Sequence, residues 1–204
     1  MKPTFVRPQK KQEQGNPLSD MPLLFDAALT EFADKSYDAA SLNDIIKKSG
    51  LSKGSFYHKY NDKLDLYLCL MDIIAQKKAA FTTNAVPATD DFFEALRFIL
   101  RHSLEFTLQE PRFYQFWHRF LAEDNTVKEA VQAAFPQSGD ELGKMIESAW
   151  DKGQLGFPAP FVAGVVNLLI SQLHTFMRED MSFDDILALE SNLVDMLQHG
   201  LAKT

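Results

Sequence analysis

The chain has 204 residues, and with 46% hydrophobic and 12% aromatic residues it can bury a substantial core, which places it among globular proteins of one large or two small domains. Its net charge of −7 argues at first against a nucleic-acid partner, but residues 1–63 carry ten Lys or Arg against eight Asp or Glu, and the remainder eleven against twenty. One cysteine, Cys69, excludes an intramolecular disulfide and a multi-cysteine zinc site, and no apolar run reaches the roughly 18 residues of a membrane span.

The N-terminal segment, MKPTFVRPQKKQEQGN, has basic residues without an apolar stretch behind them, so a secretory signal is not expected and a cytoplasmic protein is. Residues 1–17 read as a polar, flexible arm. From there hydrophobic periodicity is helical almost throughout, with no alternating strand and no internal repeat, which predicts an all-α fold. A first helix is expected from Leu18 to Asp34, with Leu24, Ala28 and Phe32 on one face. A second starts at Ser41, an N-cap whose Asp44 completes an approximate capping box, and stops at Gly50. A third runs from Ser52 to about Tyr60, and Asn61-Asp62 opens a long fourth. Further helices are expected near 62–82, 89–109, 111–122, 126–135, 138–151, 159–178 and 183–202. They are punctuated by Pro87, Glu110-Pro111, Pro136, Gly153 to Pro160, and the pair Ser182 and Asp185.

The stretch SLNDIIKKSGLSKGSFYHKY, residues 41–60, has the spacing of a helix-turn-helix. Leu42, Ile45 and Ile46 make an apolar face on its first helix, and Leu51 fills the corner. On its second helix, at about 100° per residue, Phe56 and Tyr60 share the anchoring face. Gly54 and His58 fall opposite, Ser55 and Tyr57 flank them, and Lys53 and Lys59 lie closer to the buried side with stems long enough to reach phosphates. The outward face has donors and no carboxylate. It suits a DNA major groove: hydroxyls and imidazole meet base edges or phosphates, and glycine admits close approach. Helix starts at Ser41, Ser52 and Lys63 add backbone N–H groups for phosphate.

At these residues the sequence resembles the tetracycline-repressor (TetR) family of transcriptional regulators. LFDAALTEFADKSY resembles that family's first helix, and SLNDIIKKSGLSKGSFYHKYNDKLDL its helix-turn-helix and the start of its fourth helix. The resemblance implies that Ser41, Lys53, Gly54, Ser55, Tyr57, His58 and Lys63 contact DNA, mainly phosphates. It departs from the family's pattern at Ser36, Ile46, Ser49 and Tyr60, and the first helix lacks a basic residue near its start, a role that Arg7, Lys10 and Lys11 of the arm would take. The implied organisation is a three-helix DNA-binding domain over residues 18–66 and a larger helical effector-binding and dimerisation domain over 67–204. The implied partners are a double-stranded, palindromic DNA operator and a second copy of the chain, with most members of the family acting as repressors.

The C-terminal part has no comparable motif. Phe113, Phe116, Trp117 and Phe120 recur at helical spacing and read first as core. The residues proposed to line an effector pocket are Phe98, His102, Phe106, Tyr114, Trp117 and His118, for a small molecule of apolar or aromatic character. Arg97, Arg101 and Glu105 read as a solvent-facing stripe. The last two helices form an amphipathic antiparallel pair fit for half of an intermolecular four-helix bundle, with Ala163, Gly164, Asn167 and Leu193 at the dimer interface. The histidines show no metal-ligand spacing, no catalytic signature is present, and the Asp pairs at 90–91 and 184–185 sit at helix starts, so neither enzyme, cofactor nor membrane partner is expected. An alternative reading is a helical adaptor whose acidic C-terminal body docks a protein and takes no effector.

Overall fold

The computed structural model describes residues 15–83, 89–135, 141–176 and 181–201; the arm with Arg7, Lys10 and Lys11 lies outside them. Among the described residues there are ten α-helices and no extended strand. They are α1 (Pro22–Asp34), α2 (Leu42–Lys48), α3 (Lys53–Lys59), α4 (Lys63–Thr83), α5 (Phe92–Gln109), α6 (Pro111–Leu121), α7 (Asn125–Ala134), α8 (Glu141–Asp151), α9 (Ala159–Phe176) and α10 (Phe183–Leu201).

The helix expected from Leu18 is divided in two. A 3-10 turn over Pro17–Asp20 is capped by the Asn16 side chain, and α1 restarts with Pro22 in its first turn. Proline has no N–H to donate into a preceding turn but fits the first position of a new helix, so the break falls where the ring is tolerated. Asn16 also donates from Nδ2 to the Cys69 carbonyl at 2.6 Å and to Asp72 Oδ2 at 2.9 Å, which ties this segment to α4.

Packing divides the chain into two compact units: residues 1–81 with 106–138, and residues 82–105 with 139–204. This differs from the functional division expected at residue 66, because α4 is buried on all sides from Asp65 to Asp72, Cys69 included. A helix buried all round belongs to the core of its unit. In the first unit α1 packs along α6, with Phe25 and Phe113 edge-to-face at 6.1 Å, while Phe32, Tyr67 and Phe116 form a chain of ring contacts at 4.9 and 5.2 Å. Each such ring contributes about 2–3 kcal/mol by leaving water. Trp117, expected in that core, is 43% exposed, whereas Phe113, Phe116 and Phe120 are buried.

In the second unit α8 packs on α9 around Phe92, Phe93, Leu96, Ile146, Val162 and Val194. Asp91 caps α5 by accepting from the Glu94 N–H at 2.8 Å. Ser182 and Asp185 form a reciprocal capping box at α10: Asp185 N–H donates to Ser182 Oγ at 3.2 Å and Ser182 N–H to Asp185 Oδ2 at 2.9 Å. No helix among the described residues is long and apolar enough to cross a membrane.

Candidate nucleic-acid interface

The second helix of the helix-turn-helix, α3, is seven residues long, too short to persist alone, so its orientation comes from packing and caps. Phe56 and Tyr60 are fully buried and stack at 4.9 Å, and the Tyr60 hydroxyl donates to Met21 Sδ at 3.8 Å. Ile45 and Ile46 of α2 are buried in the same core, with Leu42 and Leu51 packed at its edge. Ser52 Oγ accepts from the Ser55 N–H at 3.1 Å, so the first turn is closed by its own N-cap.

The turn between α2 and α3 depends on Gly50, whose φ of +72° is a left-handed conformation that a side chain disfavours. Before it, Ser49 is buried and its Oγ donates to the Ile46 carbonyl at 2.8 Å, which accounts for a hydroxyl in an otherwise apolar corner.

With the anchor buried, Lys53, Gly54, Ser55, Tyr57, His58 and Lys59 are all exposed, Tyr57 by 48%. Lys53 and Lys59 are thus more open than expected. A Cβ added at Gly54 would meet only Ser52 Oγ, at 3.8 Å, an ordinary contact. The fold therefore has room for a side chain there, and the bare backbone faces outward.

Two further expectations change. The Ser41–Asp44 capping box is only half formed: Ser41 Oγ accepts from the Asp44 N–H at 3.2 Å, but the Ser41 N–H donates to Glu31 Oε1 at 3.1 Å. Lys63, expected to meet phosphate, directs its ammonium to the carbonyls of Tyr37, Asp38 and Ala40 at 2.6, 3.3 and 3.1 Å, and lies over the Tyr37 ring at 4.5 Å. An ammonium has three donors, and all three are engaged, so Lys63 clamps the turn before α2 onto α4.

Three positioning residues were missed. Glu31 is 2% exposed and pairs with Lys35 at 2.5 Å and Lys48 at 3.1 Å besides accepting from Ser41. Burial alone would raise its pKa, but the hydrogen bonds from Lys35, Ser41 and Lys48 outweigh that and hold it at about 2. Its signal was readable: a glutamate within the apolar stripe Ala27, Ala28 and Phe32. Glu123 and Arg119 gave no such signal. Glu123 Oε1 accepts from the Tyr37 N–H at 2.7 Å and Arg119 Nη2 donates to the Asp34 carbonyl at 3.2 Å, so the last turn of α6 and the turn after it hold the segment that leads into α2.

The sequence profile described as bacterial regulatory proteins, tetR family, matches residues 24–70, which run from α1 through the helix-turn-helix into α4. This chain is a TetR-family transcriptional regulator. The regulator is 24% identical over 170 residues to the HTH-type transcriptional activator FasR of Mycolicibacterium smegmatis, covering 82% of this chain and 76% of FasR. A crystal structure of a TetR family transcriptional regulator from Chloroflexus aurantiacus J-10-FL matches this regulator with a TM-score of 0.75 and 27% identity over 92% of this chain and 95% of that one. The Bacillus subtilis regulator FadR, solved in complex with stearoyl-CoA, shares the fold, with a TM-score of 0.71 and 16% identity over 88% of this chain and 98% of that chain.

The six residues expected to line an effector pocket in this TetR-family regulator fall in two different units. Phe98 and His102, in the second, stack at 3.9 Å, and His102 Nδ1 lies 3.1 Å from the Phe98 carbonyl. Phe106, in the first, is buried against Phe81 and Phe113 as core, while Tyr114 and His118 lie 6.0 Å apart on α6 beside the exposed Trp117. The cleft found instead is in the second unit, between Leu100 of α5, Val166 and Leu169 of α9, and Glu190, Leu193 and Val194 of α10. Leu193 therefore lines a cleft, and Ala163 packs on the core of the unit, while Gly164 and Asn167 are exposed. Arg97 is not a free solvent group: it pairs with Asp195 at 2.6 Å and donates to Gln198 Oε1 at 2.7 Å. Among the described residues no three His, Cys, Asp or Glu side chains are grouped to hold a metal ion.

Proposed function

We propose that this TetR-family regulator is a homodimeric, cytoplasmic repressor that binds a palindromic operator through α3 of each subunit and is released or recruited by an apolar or aromatic small molecule held in its helical body. The observation that carries the DNA reading is the outward surface of α3: exposed Lys53, Ser55, Tyr57, His58 and Lys59 with the bare backbone of Gly54, no carboxylate among them, on a buried Phe56–Tyr60 anchor. Lys53, Ser55 and the helix start hold phosphates, and Tyr57 and His58 reach into the major groove. Ser41 and Lys63 support that surface from its flanks.

The dimer reading is supported by the outward side of α9 and α10, where Phe161, Leu168 and Met196 are 53%, 62% and 57% exposed and Gly164 lies between the first two with open space around it. Large apolar groups exposed along one side of a helix pair mark an association surface, and a two-fold pair of such helices makes a four-helix bundle. Effector control would pass through α6, which carries Arg119 near its end and is followed by Glu123 in the turn after it. A ligand that binds one arrangement of the helices better shifts the population toward it and so alters the seating of α2 and α3.

The test is fluorescence anisotropy with DNA flanking the regulator's own gene, over a range of salt concentrations. A specific complex whose affinity falls linearly on a log–log salt plot is expected. Equal affinity for every sequence would remove the operator reading, and a monomer by sedimentation velocity, with and without DNA, would remove the dimer.

A further inference from the structure

The N-terminal arm is a basic segment that lies outside the outward surface of α3. Residues 1–14 carry Lys2, Arg7, Lys10 and Lys11 against one acid, Glu13. Residues 15–34, which follow directly and include all of α1, carry Asp20, Asp26, Glu31 and Asp34 and no Lys or Arg. The positive charge at this end of the chain is therefore concentrated ahead of α1. Such a charge complements a nucleic acid and calls for a reach that the folded part must permit.

The folded part fixes where the arm begins. Asn16 Oδ1 accepts from the Leu18 N–H at 3.0 Å, while Asn16 Nδ2 bonds to the Cys69 carbonyl and to Asp72, itself 2% exposed. Those two α4 residues lie six and nine positions past Lys63, about 9 and 14 Å along the helix from the end that adjoins α3. Five residues after Asn16, Met21 Sδ accepts from the hydroxyl of Tyr60, the residue that ends α3. The root of the arm is thus held to the body that presents α3. The nine residues from Arg7 to Asn16 span about 30 Å when extended, with the arginine side chain besides, and half a turn of duplex is about 17 Å. Arg7 can therefore reach the minor groove next to the major groove that α3 faces.

Residue chemistry selects that groove. Arg7 stands before Pro8, and the residue before a proline is restricted to extended backbone. The minor groove, about 6 Å wide, excludes a helix but admits an extended chain with an arginine side chain. Over A·T-rich tracts it narrows, and its stronger negative potential draws arginine in, whereas a G·C pair adds the guanine 2-amino group to the groove floor. We propose that the arm is a second DNA-reading element: Arg7 enters the minor groove beside the base pairs under α3 and selects an A·T-rich flank, and Lys10 and Lys11 hold the phosphates between. The proposal rests on the reading of the protein as an operator-binding regulator and adds a specificity that α3 does not supply.

The full chain is taken through selection from random-sequence duplexes, and the enriched site is rebuilt with its flanking tract as A·T, I·C or G·C pairs. Inosine lacks the 2-amino group, so an I·C pair resembles A·T in the minor groove and G·C in the major groove. By anisotropy the parent is expected to bind the A·T and I·C flanks alike and the G·C flank about tenfold more weakly. Arg7→Ala should bind all three alike, at the parent's affinity for the G·C flank. Lys10→Ala with Lys11→Ala should weaken all three equally and flatten the salt slope, keeping the order of the flanks. Each variant should melt with the parent in the absence of DNA. An Arg7→Ala protein that melts lower would place the arm on its own unit, where Asp20 and Asp26 are exposed, and overturn the proposal. Equal affinity of the parent for the three flanks, an I·C flank as weak as G·C, or an Arg7→Ala variant that keeps the preference would each overturn it as well. An enriched core site without a flank preference leaves the operator reading standing and removes the role of the arm alone. If no sequence is enriched, the operator reading falls and the arm's role with it.

Discussion

Glu31 is the buried charge on which the seating of α2 depends, and Glu31→Gln removes that charge while keeping the shape and an acceptor for the Ser41 N–H. Holding the carboxyl at about 2 instead of its ordinary 4.5 corresponds to about 3 kcal/mol of stability in the folded chain. This is an upper bound, because the Lys35 and Lys48 side chains are 44% and 54% exposed and their attraction is screened. The folded pKa is depressed, so the contribution is fully present above about pH 4.5 and is lost as pH falls toward 2. The assay is urea unfolding of the parent and Glu31→Gln in a Trp150→Phe background, where Trp117 fluorescence reports on the unit that contains the helix-turn-helix. A deficit of about 2–3 kcal/mol is expected at pH 7, shrinking to about half by pH 3. A deficit unchanged between pH 7 and pH 3 would mean that lost packing, and not lost charge, destabilises the variant. No deficit at pH 7 would remove the role given to Glu31 altogether.

Gly54→Ala tests the outward backbone of α3: with space for the added methyl, it should stabilise the chain by roughly 0.5–1 kcal/mol in thermal unfolding yet weaken operator binding in anisotropy. Lys53→Ala should weaken all DNA sequences alike and flatten the salt slope by about one. His58→Ala should instead change base preference by about 1–3 kcal/mol at one position per half-site, measured by competition with single-base operator variants. Lys63→Ala should lower the melting temperature of the DNA-free protein, through a loss of about 1–3 kcal/mol as three carbonyls lose their donor. A stable Lys63→Ala with a flattened salt slope would return Lys63 to the phosphate role.

What the sequence by itself determined is everything that local rules govern. Helical periodicity, the Ser41, Ser52 and Ser182 caps, the left-handed turn at Gly50 and the inward placement of Ile45, Ile46 and Phe56 follow from neighbours within a turn or two, and the spacing of residues 41–60 was enough to place the outward surface of α3. The break at Pro22 is legible in the same way, as are Glu31 and Glu190, both acids inside apolar stripes. The tertiary structure decided what pairs residues far apart in the chain. The Ser41 N–H goes to Glu31 and not to Asp44, Lys63 clamps carbonyls more than twenty residues away, and Glu123 reaches Tyr37 across 86 positions. It also set Phe106 in the core of the first unit against Phe81 and Phe113, and brought α5, α9 and α10 together around one carboxylate. Helix periodicity tells which way a side chain points but not which helix it meets, because that choice is made by the packing of whole faces and by the closure of long loops.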